Sequence, residues 1–490
     1  MPDHIVLALD FGTSFCKCYA NDGIRGLAEA RHPIHVRHPS PEVSEFDPED
    51  WKEAAVMVMK QVSDLLGDKK NAIVALVAST SGPGIILSDD QGNALLPSPN
   101  WQDARCAEEG QFLFNTIGAE WVGQGIPQIS NAARLLWYER HCHDTLSHAA
   151  RIQDNKGFVL SFLTGNRYTD VSCSGRVPYD WVEDLIPLTC ARKEQFDEVL
   201  PIEGVAGVLK NELCQCCALP EGIPVIAGLN DGAAAVLGAG AIIRDAAIVS
   251  ISTNGVARTL VGEKPSGEWL KNHGLFCTKF VDDLWVLGGM TKTAGDSAEW
   301  LGELMFQDVE TASRLSAISE AASRVPCGAE GLLYIPGIYG LGSPTPGNHP
   351  CGAFLNAARS HRREHFARAV LEGVGYAIRT IGETISDNIQ AWPEVWCTGG
   401  GSKSLLWVQI IADILNHAIT PSNADSLLGA AIVGAKASGI YNTYEEAARE
   451  MAINNNPVVY PSVSNFYLDY YRSYCNSVQM ILNRGDTENG

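Results

Sequence analysis

The chain alternates short apolar runs with stretches in which apolar residues recur at helical spacing. The runs at residues 5–9, 74–78 and 225–227 have the length and composition of buried strands. Apolar residues three or four positions apart predict two amphipathic helices, which carry Phe366, Val370, Val374, Ile378 and Ile381 in one case and Leu406, Ile410 and Ile414 in the other. This alternation of strands and helices predicts an α/β fold.

The first apolar strand ends in a carboxylate and then turns. In "LALDFGTSFCKCYA", residues 7–20, Asp10 precedes a turn of Gly12, Thr13 and Ser14, after which the pattern is strand-like again. Glycine lets the backbone approach the oxygens of an anion, the hydroxyls add donors, and successive N–H groups form an anion-binding nest. The segment therefore predicts a phosphate-binding turn, although a plain hairpin turn uses the same residue types.

A second strand–turn–strand unit begins half a chain later, after a small polar break at residues 241–245. Its turn, in "AAIVSISTNGVARTL", contains Ser252, Thr253 and Asn254. Two such units, one opening each half, indicate a duplicated domain with two facing phosphate-binding turns. A chain of 490 residues is too long for one core, and we place the domains at residues 1–243 and 244–490.

Asp231 stands between a predicted strand and a helix rich in glycine and alanine, in "GIPVIAGLNDGAAAVLGAG". A carboxylate at this position is a common helix N-cap. The corner between a strand and a helix also fixes a side chain at the mouth of a cleft, as a general base requires. The pattern alone leaves both interpretations open.

Three glycines, Gly399, Gly400 and Gly401, lie between a short predicted strand and Ser402, ahead of an amphipathic helix. A simple strand–helix turn seldom needs three glycines. Bare backbone at such a junction allows a base or a ribose to lie against it, and we interpret the segment as a nucleotide contact.

The segment "NWQDAR" combines an aromatic face with two charged groups. Trp101 can stack on the C–H side of a polyol, while Asp103 and Arg105 can bind its hydroxyls. A solvated loop is the alternative interpretation of the same residues.

Composition and charge exclude several classes. Lys and Arg number 36 against 57 Asp and Glu, and the net charge of −21 disfavours a nucleic-acid surface. No apolar stretch is long enough to span a membrane, and no secretory signal is visible. The 14 cysteines lack the spacing of a disulfide framework or a zinc site. These features favour a cytoplasmic protein without nucleic-acid or membrane partners.

Other nucleotide-binding motifs are missing from the sequence. There is no G-x-x-x-x-G-K-[ST], no G-x-G-x-x-G after a strand, and no H-R-D loop to accompany the D-F-G at residues 10–12. A P-loop enzyme, a Rossmann dehydrogenase and a protein kinase are all disfavoured.

Taken together, the motifs resemble the FGGY family of carbohydrate kinases, within the actin/hexokinase/sugar-kinase superfamily. The resemblance runs nearly end to end and rests on eight segments in the family's order, which are "DFGTSFCK", "WQDAR", "FLTGNRYTDVSCSG", "GLNDGAAAVLGAGA", "SISTNGVA", "GGMTKTAGDSAEW", "RAVLEGVGYAIR" and "TGGGSKS" with its "LGAAIVGAKASGIY" tail.

The resemblance implies two RNase-H-like domains around a central cleft, with the sugar mainly on the N-terminal half and ATP mainly on the C-terminal half. It implies that Asp231 is the catalytic base and that Asp10 and Asp231 orient Mg²⁺. The implied phosphate and nucleoside contacts are Gly12, Thr13, Ser14, Lys17, Thr253, Asn254, Gly399, Gly400, Gly401 and Ser402. The implied substrate contacts are Ser81, Gly82, Trp101, Asp103, Arg105 and Asp231. A homodimer is compatible with the resemblance.

Three segments depart from the family pattern. Ser252 replaces the glycine of a G-T-S turn, so we expect the second turn to be tighter or differently oriented. Asn131 and Arg134 depart from P-x-x-K-x-x-W. The stretch "YGLGSPTPGNHPCG", residues 339–352, replaces the usual G-E-R-x-P segment.

The substrate is narrowed by "ASTSGPGIIL", residues 78–87. Its Thr80, Ser81 and Gly82 resemble a subgroup of xylulokinase-like proteins that act on ketopentoses, so we predict ribulose, xylulose or a pentitol. Glycerol or a hexonate is the alternative within the family. A catalytically weak, ATP-gated binding scaffold is the alternative outside it, although a pure binder has no need of a base at Asp231.

Overall fold

The computed structural model describes residues 4–40, 42–118, 130–176, 182–244, 246–345, 350–389, 392, 394–452, 456–463 and 465–488. The strands are β1 (Ile5–Phe11), β2 (Phe15–Asn21), β3 (Gly26–Pro33), β4 (Val36–Arg37), β5 (Glu45–Phe46), β6 (Ile73–Thr80), β7 (Ile85–Ser88), β8 (Ser98–Pro99), β9 (Arg151–Asp154), β10 (Tyr168–Asp170), β11 (Glu198–Leu200), β12 (Val205–Val208), β13 (Pro224–Ile226), β14 (Ala247–Ile251), β15 (Gly255–Val261), β16 (Phe276–Lys279), β17 (Trp285–Met290), β18 (Leu333–Ile335), β19 (Ala353–Leu355), β20 (Val395–Thr398) and β21 (Ile419–Pro421).

The helices are α1 (Pro48–Leu66), α2 (Ala107–Ile117), α3 (Asn131–His141), α4 (His143–His148), α5 (Asn155–Thr164), α6 (Val171–Arg176), α7 (Val182–Leu185), α8 (Asn211–Cys216), α9 (Asp231–Gly238), α10 (Ala241–Arg244), α11 (Gly267–Asn272), α12 (Gly295–Met305), α13 (Arg314–Ser323), α14 (Arg363–Asn388), α15 (Leu405–Leu415), α16 (Ser426–Ala437), α17 (Tyr444–Met451) and α18 (Leu468–Glu488). The predicted strands and both predicted helices are confirmed, and the expected break at 241–245 contains the short helix α10.

Two six-stranded sheets, which share the order of five strands and differ in the place of the sixth, form the two halves of the molecule. In the first sheet, β1, β2 and β3 are antiparallel neighbours, while β6 and β13 add in parallel beside β1. In the second sheet, β14, β15 and β17 are antiparallel neighbours, while β20 and β21 add in parallel beside β14. The repeated order confirms the predicted duplication and the α/β class.

Two helices rich in small residues join the halves. α9 follows β13 in the first half, and α16 follows β21 at the equivalent place in the second half. Their crossing is so close that a Cβ on Gly429 would lie 1.8 Å from the carbonyl oxygen of Ala234. A Cβ on Gly434 would lie 2.4 Å from a methyl of Val6 in β1, so α16 also packs against the first sheet. Glycine at these positions therefore sets how closely the halves approach.

The cysteines and the lengths of the helices bear on the disulfide and membrane predictions. All 14 cysteines are free, as expected for a chain without a disulfide framework. Within the described residues, no helix has both the length and the apolar character needed to cross a bilayer.

Candidate active site

Asp10 is the next-to-last residue of β1, and its side chain is buried. The Ser426 hydroxyl donates a 2.7 Å hydrogen bond to its Oδ2, and Lys17 Nζ lies 3.8 Å from the same oxygen. The other oxygen, Oδ1, is buried without a hydrogen-bond partner. Burial raises the pKa of Asp10 to about 6, an effect that Lys17 opposes and that the nearby Asp231 carboxylate reinforces. Asp10 is thus a buried carboxylate with one oxygen left for a ligand.

Asp231 is the first residue of α9, but it is not the helix cap. The side-chain oxygen of Asn230 accepts hydrogen bonds from the N–H groups of Gly232 and Ala233, at 3.1 and 3.3 Å, so Asn230 caps the helix. Asn230 Nδ2 and the Gly232 N–H also donate to Asp231 Oδ1, at 3.1 and 2.6 Å. These contacts hold the Asp231 carboxylate at the end of the helix without using it as the cap.

The structure brings Asp10 and Asp231 to the same edge of the first sheet. Phe11, at the end of β1, pairs with Thr80 at the end of β6, and Thr80 forms a parallel bridge with Asn230. The ends of β1 and β6 and the start of α9 therefore adjoin. After burial, which raises the pKa of Asp10 most, the nearby Asp231 carboxylate raises it as well.

The first predicted phosphate turn follows β1 and lies next to the Asp10 side chain: a Cβ on Gly12 would be 3.9 Å from Asp10 Oδ2. The Gly12 N–H donates to the Phe15 carbonyl at 3.0 Å, which closes the turn, and Ser14 is exposed at its tip. The Trp101 indole N–H donates a 3.0 Å hydrogen bond to the Thr13 hydroxyl. Trp101, a predicted substrate contact, therefore meets the phosphate turn through its indole nitrogen.

Lys17 connects the two halves at this edge. Its Nζ lies 3.4 Å from Asp425 Oδ2, on the N-cap of α16, as well as 3.8 Å from Asp10 Oδ2. Burial lowers the pKa of Lys17, but Asp10 and Asp425 together raise it above its ordinary value. The predicted phosphate-binding lysine is thus a cation held between carboxylates of both halves.

The second predicted phosphate turn is closed by the start of α12. The N–H groups of Ala294 and Gly295 donate to the carbonyls of Thr253 and Ser252, each at 2.8 Å. Thr253 is exposed, whereas Asn254 is buried and its Oδ1 has no hydrogen-bond partner. In the second hairpin, residues 252–254 lie unpaired between the last paired residues of β14 and β15. In the first hairpin, residues 12–15 lie unpaired between those of β1 and β2. The second turn is one residue shorter than the first.

The glycines after β20 differ in their surroundings. A Cβ on Gly401 would lie 2.4 Å from a methyl of Ile251, whereas a Cβ on Gly400 would meet nothing within 4 Å. Ser402 is buried, and its hydroxyl donates to the Gly399 carbonyl at 2.7 Å. The absence of a side chain at 401 is explained by packing inside the half. Gly400 alone presents bare backbone to open space.

Asp103 and Arg105 are engaged with each other. The Arg105 guanidinium donates to Asp103 at 2.8–3.0 Å and to Glu45 at 2.6 Å, and the Ser44 N–H also donates to Asp103. The Asp103 side chain has no exposed surface. The Arg105 guanidinium lies 5.2 Å from the ring centre of Trp137. Asp103 and Arg105 are thus linked to each other and to Glu45, and their contact with a sugar stays a prediction.

Ser81 and Gly82 follow β6 on the same edge as Asp10. The Ser81 N–H donates to the Phe11 carbonyl at 2.8 Å, and Asn155 Nδ2 donates to the Ser81 carbonyl at 2.9 Å. Ser81 is nearly buried and Gly82 is half-buried. The loop predicted to face the sugar is therefore fixed through its backbone next to both carboxylates.

Sequence reasoning missed Asp425 and Ser426, which reach Lys17 and Asp10 from the second half. A signal was present, because "DSLLGAAIVGA" and "NDGAAAVLGAG" both place a polar capping residue before a helix of glycine and alanine. The duplicated fold puts these two helices in equivalent places. Comparing the halves with each other would have indicated that both helix starts approach the cleft.

The edge of the first sheet, with its two carboxylates, a lysine and the first glycine- and hydroxyl-containing turn, has the chemistry of phosphoryl transfer. The chain matches the N-terminal domain of the FGGY family of carbohydrate kinases over residues 5–238 and the C-terminal domain over residues 250–438. It is a carbohydrate kinase, a phosphotransferase that acts on a sugar hydroxyl. It belongs to the FGGY family and is xylulokinase-like.

Relatives along the whole chain include enzymes with two different names. The xylulose kinase of Staphylococcus xylosus is 27% identical over 96% of this chain and 98% of its own length. The gluconokinase of Bacillus subtilis is 23% identical over 90% of this chain and 89% of its own.

Solved structures share the fold over nearly the full length. The xylulose kinase of Rhodospirillum rubrum superposes with a TM-score of 0.86 at 24% identity, over 98% of this chain and 99% of that one. The gluconate kinase of Lactobacillus acidophilus gives 0.87 at 21% identity, over 98% of each chain. These similarities confirm the fold of two domains around a cleft.

Proposed function

We propose that the protein transfers the γ-phosphoryl group of ATP to a hydroxyl of a ketopentose, such as xylulose or ribulose, or of a pentitol. The observation that carries the proposal is the shared edge at which Asp10 and Asp231 interact beside the first turn. Phosphoryl transfer requires positioning and charge stabilisation more than covalent chemistry by the protein. A base, a buried carboxylate and a lysine at one edge provide these.

Asp231 is the proposed general base. Its carboxylate is held by Asn230 and by the Gly232 N–H, so its direction is fixed before a substrate arrives. In this role it accepts the proton of the attacking hydroxyl as the new O–P bond forms and the bond to the leaving diphosphate oxygen breaks. Ser81 and Gly82 lie on the adjoining strand end, where the sugar would be bound.

Asp10 and Asp231 are the residues that would hold Mg²⁺ in the proposed reaction. Mg²⁺ prefers oxygen ligands and keeps several of its waters. The buried, unpartnered Oδ1 of Asp10 offers such an oxygen, and the repulsion between the two carboxylates would be relieved by a cation. When bound, Mg²⁺ would neutralise charge on the phosphate oxygens.

We divide the ligands between the proposed domains, residues 1–243 and 244–490. Thr13, Ser14 and Lys17 would approach the γ-phosphate from the first, and Thr253 and Asn254 from the second. The second turn has an exposed residue, Thr253, and a buried side-chain oxygen without a hydrogen-bond partner, Asn254 Oδ1. In the nucleoside contact, the backbone of Gly400 has the open space that such a contact needs, whereas Gly399, Gly401 and Ser402 shape the turn around it.

The experiment is a coupled assay of ADP release with MgATP over a panel of xylulose, ribulose, pentitols, glycerol and gluconate. We expect turnover to be fastest with a pentulose or a pentitol. Fastest turnover with gluconate would reassign the substrate to a hexonate, in line with the gluconokinase relatives. ATP binding without acceptor-dependent ADP release from any member of the panel would favour a binding scaffold and contradict the proposal.

A further inference from the structure

A buried lysine lies behind the proposed base, outside the cleft-facing residues described above. Lys156, on α5, has no exposed surface and donates to the carbonyls of Ala78 at 2.6 Å, Ala227 at 2.7 Å and Leu229 at 3.1 Å. Its Nζ also lies 3.3 Å from Asp170 Oδ2, and Asp170 is equally inaccessible. The ammonium group therefore gathers three chain segments around one buried ion pair.

Asp170 continues this network towards the base. Its Oδ1 accepts hydrogen bonds from the hydroxyl and the N–H of Ser172 and from the N–H of Cys173. The Ser172 Oγ in turn accepts a 2.8 Å hydrogen bond from the Asn230 N–H. The ion pair thus reaches Asn230, the residue immediately before Asp231.

Lys156 and Ser172 both hydrogen-bond to the same peptide group, one on each side of it. The Leu229 carbonyl, bound by Lys156, and the Asn230 N–H, bound by Ser172, belong to the same planar unit. Fixing both ends of that plane fixes the direction in which the chain enters α9. The cap residue Asn230 and the carboxylate of Asp231 follow directly from it.

The backbone also turns sharply at Gly228, just before this peptide group. Gly228 has a φ of +78°, and a Cβ there would lie 2.1 Å from the Ala78 carbonyl oxygen. Only glycine fits this approach, which turns the backbone so that Ala227 and Leu229 both direct carbonyls at Lys156.

Burying an ion pair is costly, and well-packed apolar residues are often as stable. Stability alone therefore does not account for Lys156 and Asp170. We propose that Lys156, Asp170 and Ser172 are positioning residues that hold the 229–230 peptide and thereby orient Asp231 for proton abstraction. This inference rests on the proposed function, because it assigns the network a role through the base.

The test is a double-mutant cycle between Ser172→Ala and Asp231→Asn. Ser172→Ala is the mildest change that breaks one of the two hydrogen bonds to this peptide group. A misplacement of about 1 Å at a reacting group costs up to about 10²-fold, and we expect Ser172→Ala to lower kcat by about tenfold while the KM values for sugar and ATP stay within about twofold. In the Asp231→Asn background, Ser172→Ala should change the residual rate by less than about twofold, because the base it orients is gone.

Asp170→Asn and Lys156→Met should lower kcat further than Ser172→Ala does, if they fold. The matched control is Glu372→Gln, which removes the charge of the buried Arg368–Glu372 pair on α14 in the second half, where the two side chains lie 2.7 Å apart. We expect this control to lower the melting temperature but to leave kcat unchanged.

Each result decides the inference separately from the proposed function. An unchanged kcat in Ser172→Ala would overturn the positioning role. So would an undiminished tenfold effect of Ser172→Ala in the Asp231→Asn background, because it would show that the network acts independently of the base. Near-normal turnover in Asp231→Asn alone would instead refute the proposed function.

Discussion

The turns after β1 and β14 occupy equivalent places in two sheets that share the order of five strands. Asp10 is the next-to-last residue of β1, and Ser250 holds the same position in β14. The first turn is accompanied by a buried carboxylate and by Lys17, whereas carbonyls of the second turn accept hydrogen bonds from the start of α12. The two turns thus share their strand pairing, whereas Asp10 at the end of β1 has an uncharged counterpart, Ser250, at the end of β14. This asymmetry fits chemistry in one half and nucleotide binding in the other.

The most severe way to break the asymmetry is Asp231→Asn, which removes the proposed base from the first half. Removing a positioned general base costs about 10²- to 10⁴-fold, and we expect kcat to fall on that scale. The amide is isosteric, so the protein should fold and bind sugar as the wild type does. Steady-state ADP release and sugar binding by calorimetry measure the two effects. A kcat near that of the wild type would remove Asp231 from the mechanism.

Asp10→Asn tests the buried carboxylate and its pH dependence. The folded-state pKa of about 6 lies above the ordinary value of 3.8, because burial disfavours the charge. Ionised Asp10 therefore destabilises the fold above about pH 6, and this cost disappears as the pH falls towards 4. Without Mg²⁺, we expect Asp10→Asn to melt above the wild type at pH 8, with the difference shrinking towards pH 4.

The same substitution should lower turnover by about 10²-fold, because an electrostatic group at the transition state is lost. Ser250→Ala, at the equivalent position of the second sheet, is the matched control and should change neither property. Equal melting temperatures of Asp10→Asn and the wild type at pH 8 would contradict the destabilising role of the buried charge.

In the second half, the glycines after β20 separate a packing role, at Gly401, from a predicted nucleoside contact, at Gly400. Gly401→Ala places a methyl 2.4 Å from Ile251, and overpacking of this kind costs about 1–3 kcal/mol of unfolding free energy. Gly400→Ala has open space, so its stability should match the wild type while its KM for ATP rises several-fold. Denaturant titration and ATP kinetics distinguish the two. An unchanged KM in Gly400→Ala would remove this glycine from the nucleoside contact.

The smallest expected effect comes from the contact between the halves at Ser426. Its hydrogen bond lowers the pKa of Asp10, against the larger effect of burial. Ser426→Ala should raise that pKa further, lower kcat at pH 7 by about two- to fivefold and move the acidic limb of the pH–rate profile upwards. A superimposable profile would show that Ser426 does not act on Asp10.

Local patterns predicted the features that neighbouring residues determine. Asp10 with its Gly-Thr-Ser turn, Asp231 at the start of a small-residue helix and the glycines at 399–401 all lie in segments whose residue types fit one backbone arrangement. The strand and helix alternation predicted the fold for the same reason. The sequence offered Asp231 as the helix cap, and this alternative was wrong: Asn230 caps α9. Asn and Asp both cap helices and stand side by side here, so the local pattern did not separate them.

Contacts between segments far apart in the chain could not be predicted from local sequence patterns. Ser426 donates to Asp10 across 416 positions, and only a comparison of the two halves, not the residues beside either one, points to this contact. Arg105 donates to Asp103 and to Glu45, which stands 60 positions away, and no local pattern indicates the second contact. Lys156 reads as an ordinary helix residue until three carbonyls and Asp170 surround it. In each case, tertiary packing decides what a side chain with several possible partners does.

The central claim is that the carboxylates of Asp10 and Asp231 border one phosphoryl-transfer centre between the two halves. A crystal structure with Mg²⁺, a non-hydrolysable ATP analogue and the sugar selected by the ADP-release panel tests it most directly. We expect one sugar hydroxyl within hydrogen-bond reach of Asp231, at about 2.6–3.2 Å, with Asp10 contacting the metal or one of its waters. A sugar bound away from Asp231, or a metal without contact to Asp10, would contradict the account.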